Sequence, residues 1–293
     1  INTLHGFYFH DNMNPRARSF YIATEKIAAR CSDVILSQNS EDIQTAIREG
    51  ICRADQIKSL GNGIDVQRFD RSRLSSEVLE EKRRELGLPA GAPVVGFVGR
   101  LVAEKGILEL LRAAQTVLKQ VPEARFLFIG PEDKEKGDAL TQDIAQEYGI
   151  AHACVFPGMR QDMPELYALM DVFVLPSHRE GFPRSPMEAS AMETPCIATD
   201  IRGCREAVLP DRNGVLVPLR DADALADAIV DLLKNPGKAR RMGQAGRQVA
   251  LERFDERLVF DKVIDEYARL LRARGLPVPD PVSKPSQSQE TSP

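Results

Sequence analysis

The sequence predicts an α/β protein built from two doubly wound, Rossmann-like parallel sheets, the first of them incomplete, with a helical extension at the C-terminal end. Three observations carry this. From residue 93 onward, short apolar runs bounded by Gly, Pro or Asp alternate with segments of helical period, the grammar of βα units. The same grammar runs more briefly before residue 70. After Pro218 the strands stop and only helical patterns follow.

In chain order, the first region reads as strand "NTLHG", helix "PRARSFYIATEKIAARC", strand "DVILSQ", helix "SEDIQTAIREG" and strand "IKSLGNGI". So few elements make a poor independent core, and the chain opens at Ile1 on what reads as a buried strand. Residues 1–70 are therefore expected to be the remainder of a larger domain, with residues missing upstream. The polar stretch 71–92 fits a linker with a short charged helix. Residues 93–250 hold six strands, "PVVGFVG", "ARFLFIG", "ACVFPG", "DVFVLP", "PCIATD" and "GVLVP", whose near-continuous hydrophobicity suits strands covered by helices on both faces. Between the first two, "GILELLRAAQTVLKQV" repeats its apolar residues at intervals of three and four and ends at Pro122. Three helical patterns follow Pro218, and the last, within residues 251–275, is long and amphipathic. Residues 276–293, rich in Pro, Ser and Gln, are expected to be disordered.

Composition narrows the function classes. Thirty-nine Lys and Arg against 43 Asp and Glu give a net charge of -4, so no global basic field exists to hold nucleic acid. The five cysteines are odd in number, spread out and without a C-x-x-C pair. They read as reduced core residues of a cytoplasmic protein rather than as bridges or zinc ligands. No apolar run approaches the roughly 20 residues needed to span a bilayer, so any membrane contact is expected to be peripheral.

The chemistry concentrates at strand ends. In "REGFPRSPMEAS", Ser185-Pro186-Met187-Glu188 has the form of a capping box, with Ser185 as N-cap and Glu188 reaching back to the backbone. That explains Glu188 without any ligand. It does not explain Glu180, held by a Gly-Phe-Pro turn at the carboxyl end of "DVFVLP", where open α/β sheets bind ligands. In "GFVGRLVAEKG", Gly96 and Gly99 are expected to let the backbone turn, while Arg100 and Lys105 put two cations where a diphosphate needs them. Either cation alone reads as an ordinary surface charge. "VFPGM" closes a third strand and leaves the backbone of Met159 and Arg160 open; alone it is a turn.

Together, "GRLVAEKG", "VFPG" and "DVFVLPSHREGFPRSPMEASAMETPCIATDIRGCREAV" resemble the donor domain of the GT-B, retaining glycosyltransferases of family 4, whose signature is E-x7-E; seven residues separate Glu180 from Glu188. "GNGIDVQRF" resembles that family's passage between its two domains, and "TLHG" the strand end that carries its active-site histidine. The resemblance implies a transferase using a nucleotide sugar, in which Arg100 and Lys105 neutralise the diphosphate with help from the backbone N–H groups of Arg184 and Ser185. Glu188 would accept from the ribose, Glu180 from a donor-sugar hydroxyl, and the backbone at Met159 and Arg160 would read the base. His5 would line the cleft from the other domain. It further implies no metal or other cofactor, a UDP-sugar donor, and a saccharide or polyprenyl-linked acceptor in bacterial surface glycan synthesis. Arg16 and Arg18 at one helix start could touch anionic lipid, although a solvated helix face explains them better. The sequence departs from the pattern at Pro183, where glycine is commoner, and the family's diphosphate-covering glycine-rich loop has no counterpart here. A non-catalytic binding subunit and a GT-B sugar-nucleotide epimerase are the alternatives.

Overall fold

The computed structural model describes residues 1–9, 13–133 and 137–278. Its first domain contains β1 (Asn2–Leu4), α1 (Pro15–Arg30), β2 (Ile35–Ser37), α2 (Ser40–Arg48) and β3 (Ile57–Ser59), the strands pairing in parallel in that order. The tail expected to be disordered lies, from residue 279 on, outside the described residues, as does His10.

After α3 (Ser76–Glu85), the second domain runs β4 (Val94–Val98), α4 (Ile107–Gln120), β5 (Arg125–Ile129), the short α5 (Ile144–Glu147), β6 (Cys154–Gly158), α6 (Met163–Leu169), β7 (Val172–Leu175), α7 (Ser185–Ala191), β8 (Cys196–Thr199), α8 (Cys204–Ala207) and β9 (Gly214–Val217). Its six strands lie in the order β6-β5-β4-β7-β8-β9, all parallel. Their apolar sequences are explained by burial: Val94, Phe126, Val172, Phe173 and Ile197 are all fully enclosed, because helices cover both faces of the sheet. On one side α4 packs with α9 (Ala222–Lys234), and on the other α7 packs with α10 (Pro236–Arg253).

The cores divide the chain differently from its sequence segments. Ile64, Val66 and Phe69 belong to the large core of the second domain, so the first domain's packing ends before residue 64. The charged helix α3 is also fastened to that domain, its Lys82 pairing with Asp162 at 2.7 Å. Conversely the last helix, α11 (Glu256–Ala273), returns to the first domain. Its Val259, Val263 and Leu270 pack on Val34, Leu36 and Leu60, and its Glu266 pairs with Lys58 at 2.6 Å. Its amphipathic period thus has a partner far away in sequence.

Two local expectations are corrected. Gly96 does not turn the chain; it sits inside β4, where a Cβ would lie 2.0 Å from Met170 Sδ, so it makes room for that thioether. The cysteines are unpaired, but Cys31 is exposed, because it falls at the C-terminal cap of α1 and points outward, whereas Cys196 and Cys204 are core residues.

Candidate active site

The strand order fixes where a site can form. The chain winds outward from β4 through β5 to β6, then returns to lay β7 against the other side of β4. Connections therefore leave β4 and β7 on opposite faces, and a crevice opens between their carboxyl ends. The loop after β4 brings Arg100 and Lys105 to this point, and the loop after β7 brings Glu180. Lys105 Nζ lies 2.6 Å from Glu180 Oε1, both side chains being mostly buried. A cleft of about 430 Å³ joins these residues to His5 of the first domain and is also lined by Asp42 and Arg202. That volume suits a small organic ligand.

Among the described residues, every cation lining the cleft is matched by a carboxylate. Arg100 Nη1 is 2.9 Å from Asp133, Arg179 Nε is 3.2 Å from Glu104, and Arg202 Nη1 is 2.6 Å from Asp42. His178, close to Glu180 in sequence, sets Nε2 3.0 Å from Glu109 Oε1. At Lys105 and Arg100 an incoming anion would exchange partners rather than meet bare charges. Arg100 is suited to this, since its side chain is nearly half exposed.

The other sequence candidates do not line this cleft. Met159 follows β6 with an exposed side chain. Arg160 turns away, pairing with Asp162 at 2.6 Å and Glu85 at 2.7 Å, which leaves only its backbone to meet a ligand. Arg184 is exposed at the N-cap of α7. Arg16 is exposed, whereas Arg18 pairs with Glu49 at 2.9 Å and stacks over Phe9.

The capping box does not form. Arg184, with φ -78° and ψ -33°, occupies the N-cap without a side-chain bond, and Ser185 is already helical. The reason is the pull on Glu188 from elsewhere: the Tyr167 hydroxyl donates to Glu188 Oε2 at 2.9 Å. Tyr167 is fully buried, so its O–H must find an acceptor inside the protein. Burial pushes Glu188 above the ordinary glutamate range, while the Tyr167 hydrogen bond and the charges of Arg184 and Arg68 act in the opposite direction. The only sequence signal for Tyr167 was a phenol in the largely apolar stretch "LYALMDVFVL", which requires a partner but does not name it.

Asp42 was also missed. It sits in the first turn of α2, where an acidic residue is explained by the helix dipole alone. In the structure its carboxyl is wholly buried beside the cleft; burial pushes its pKa up and Arg202 acts against that.

A family model, "Glycosyl transferases group 1", matches residues 78–249. The putative glycosyltransferase EpsD of Bacillus subtilis (strain 168) is 32% identical over 272 residues, covering 92% of this chain and 69% of the relative. The UDP-Gal:alpha-D-GlcNAc-diphosphoundecaprenol alpha-1,3-galactosyltransferase of Escherichia coli is 29% identical over 232 residues, 78% of this chain and 59% of the relative. The chain thus spans about three fifths to two thirds of these proteins. Among solved structures, Anabaena Alr3699/HepE in complex with UDP-glucose superposes with a TM-score of 0.79 at 22% identity, covering 91% of this chain and 71% of that one.

Two parallel sheets facing one another across a cleft, with the last helix crossing back to the first, define the GT-B class. The chain belongs to the glycosyl transferases group 1 family.

Proposed function

We propose that this chain carries the donor site of a glycosyltransferase that moves a hexosyl or N-acetylhexosaminyl group from a UDP-sugar to a saccharide or lipid-linked saccharide, with retention, in bacterial surface glycan synthesis. The observation that carries this reading is the Lys105–Glu180 pair at the switch point of the doubly wound sheet. A nucleotide sugar needs a cation for its diphosphate and a hydrogen-bond acceptor for its sugar, a few ångströms apart, and these two side chains supply both. The UDP-glucose complex of HepE and the UDP-Gal named for the Escherichia coli relative support the choice of donor.

In this reading Lys105 and Arg100 hold the diphosphate, and the backbone N–H groups of Arg184 and Ser185 assist from the start of α7. As the glycosidic bond breaks, charge accumulates on the leaving diphosphate; preorganised cations stabilise it more in the transition state than in the ground state. Glu180 orients the sugar, Glu188 the ribose, and the backbone at Met159 and Arg160 the base. His5 faces the transferred sugar from the first domain. The reaction so drawn needs no metal. A peripheral membrane contact would suit a polyprenyl-linked acceptor; among the described residues no helix is long and apolar enough to cross a membrane.

Titration of UDP and a panel of UDP-sugars, with mass-spectrometric detection of released UDP and glycosylated product, tests the proposal. Tight UDP binding with release that depends on an added acceptor is expected. Product formed without an acceptor points to an epimerase, and binding without turnover to a non-catalytic subunit.

A further inference from the structure

We propose that Asp42, on the first domain, is a positioning residue for Glu180 on the second, acting through Arg202 and Gly203, so that bringing the cleft walls together and placing the sugar-facing carboxylate are one event. The proposal rests on the reading of Glu180 given above. It starts from a buried group with incomplete satisfaction. The Asp42 carboxyl has no exposure; Oδ1 accepts from Arg202 Nη1 at 2.6 Å, and Oδ2 has no hydrogen-bond partner. A buried carboxylate left without its cation is strongly unfavourable, so Asp42 binds Arg202 in place. Asp42 and Arg202 are 160 residues apart and belong to different domains.

Arg202 passes that constraint to its neighbour. Gly203 has φ +84°, and a Cβ there would stand 2.4 Å from the Gly181 carbonyl oxygen and 2.7 Å from that of Glu180. The backbone at 203 is therefore seated directly on the two peptide groups that follow from Glu180. The same turn is held from the first domain as well, since Asn39 Nδ2 donates to the Gly181 oxygen at 3.1 Å. Around this contact the first turn of α2 grips the segment 200–206, which runs into α8: Arg205 pairs with Glu41 at 2.8 Å, and Glu206 accepts from the Ser40 amide at 2.9 Å and from its hydroxyl. These outer pairs are exposed and contribute little each. The Asp42–Arg202 pair differs in being buried at its acidic end, so it is the one that fixes the loop.

The chemical consequence is positional. Glu180 must present its carboxylate to the sugar while Lys105 holds the diphosphate, and a displacement of about 1 Å at such a group costs about 100-fold in rate. UDP alone lacks the sugar that Glu180 is read to hold, so displacing Glu180 takes no contact away from it. Loss of the clamp should thus reduce turnover without reducing UDP affinity.

The test compares Arg202→Ala, Arg202→Lys and Asp42→Asn by kcat with a UDP-sugar, UDP affinity by calorimetry, and amide hydrogen exchange across 181–184. In Arg202→Ala and Asp42→Asn we expect kcat to fall about 100-fold, UDP affinity to stay unchanged, and exchange to quicken at Gly181 and Phe182; Arg202→Lys should recover part of the rate. Parallel losses of kcat and UDP affinity, or an unaltered kcat, would overturn the proposal. If the wild type neither binds UDP nor consumes any UDP-sugar, the donor-site reading fails and the exchange measurement alone decides. Faster exchange confined to 181–184 in Arg202→Ala then sustains the coupling, and unchanged exchange removes it.

Discussion

Lys105 Nζ and Glu180 Oε1 lie 2.6 Å apart, although 75 residues of chain separate them. The cation assigned to the diphosphate and the carboxylate assigned to the sugar hold each other at the crevice between β4 and β7. A donor entering this site takes a partner from each, so the pair keeps two buried charges compensated until the ligand arrives.

Removing one member should therefore have opposite effects on nucleotide and on turnover. Lys105→Gln is expected to weaken UDP roughly tenfold to a hundredfold, in line with charged hydrogen bonds of about 1.5–3 kcal/mol. Glu180→Gln frees Lys105 and should leave UDP binding equal or tighter, while turnover of the UDP-sugar falls by a comparable factor. Calorimetry with UDP beside a UDP-release assay separates the two; a drop in UDP affinity in Glu180→Gln would contradict the arrangement.

Glu188 gives a signature in pH. Its carboxyl is held above the ordinary glutamate range by burial, with the Tyr167 hydroxyl and the Arg184 and Arg68 charges pulling back. The folded state thus binds this proton more tightly than the unfolded state, so between the ordinary and the raised value the group adds stability as pH falls. Under the proposed role of Glu188, ribose recognition would run the other way, because protonation removes an acceptor. UDP affinity should decline on acidification from a pH above the usual carboxylate range. Glu188→Gln should be weaker throughout and lose that portion of the pH dependence, as read by calorimetry at a series of pH values.

Tyr167→Phe tests what shapes Glu188. The phenol is fully enclosed and spends its hydroxyl on Glu188 Oε2. Its removal should cost about 1 kcal/mol of stability by denaturant titration and lower UDP affinity severalfold, since Glu188 is then free to take other rotamers.

What was legible in the sequence follows from how local each cause is. The six strands of the second sheet announce themselves because burial on both faces makes them apolar throughout, and "GILELLRAAQTVLKQV" because one face meets the sheet. The strand ends carrying Arg100, Lys105 and Glu180 followed from that alternation. The Asp42–Arg202 and Tyr167–Glu188 pairs did not, since each is made by partners that only the fold brings together. Ser185 shows local pattern losing to such a contact: its capping box was well formed as sequence, and the buried phenol of Tyr167 claimed Glu188 instead.

Accessibility divides the cysteines. Cys31 is exposed, whereas burial pushes the Cys196 thiol up to about 12 and also raises Cys204. Because the thiolate is the reactive form, iodoacetamide on the native protein should modify Cys31 first and leave Cys196 and Cys204 untouched until denaturant is added, as followed by peptide mass spectrometry.

The last prediction concerns how the two domains are joined. Among the described residues the chain crosses between them twice, near Gly63 on the way out and near Glu256 on the way back. The crossings are laced together, with the Ile64 amide donating to the Phe254 oxygen at 2.8 Å and the Glu256 amide to the Ile64 oxygen at 3.0 Å. Gly63 lies against the returning backbone so closely that a Cβ would sit 2.5 Å from Glu256 Cα and 2.8 Å from its nitrogen. Neither atom belongs to a side chain that could swing aside, so Gly63→Ala must part the crossings. We expect a loss of about 1–3 kcal/mol, the usual range for overpacking, and a melting temperature lower by several degrees. Since α11 starts at Glu256 and its far end packs on the first sheet, the same substitution should speed hydrogen exchange in α11 and β2 while β4 and β5 stay protected. An alanine tolerated without loss would mean that the crossings are independent linkers, and the lacing would then play no part in holding the domains together.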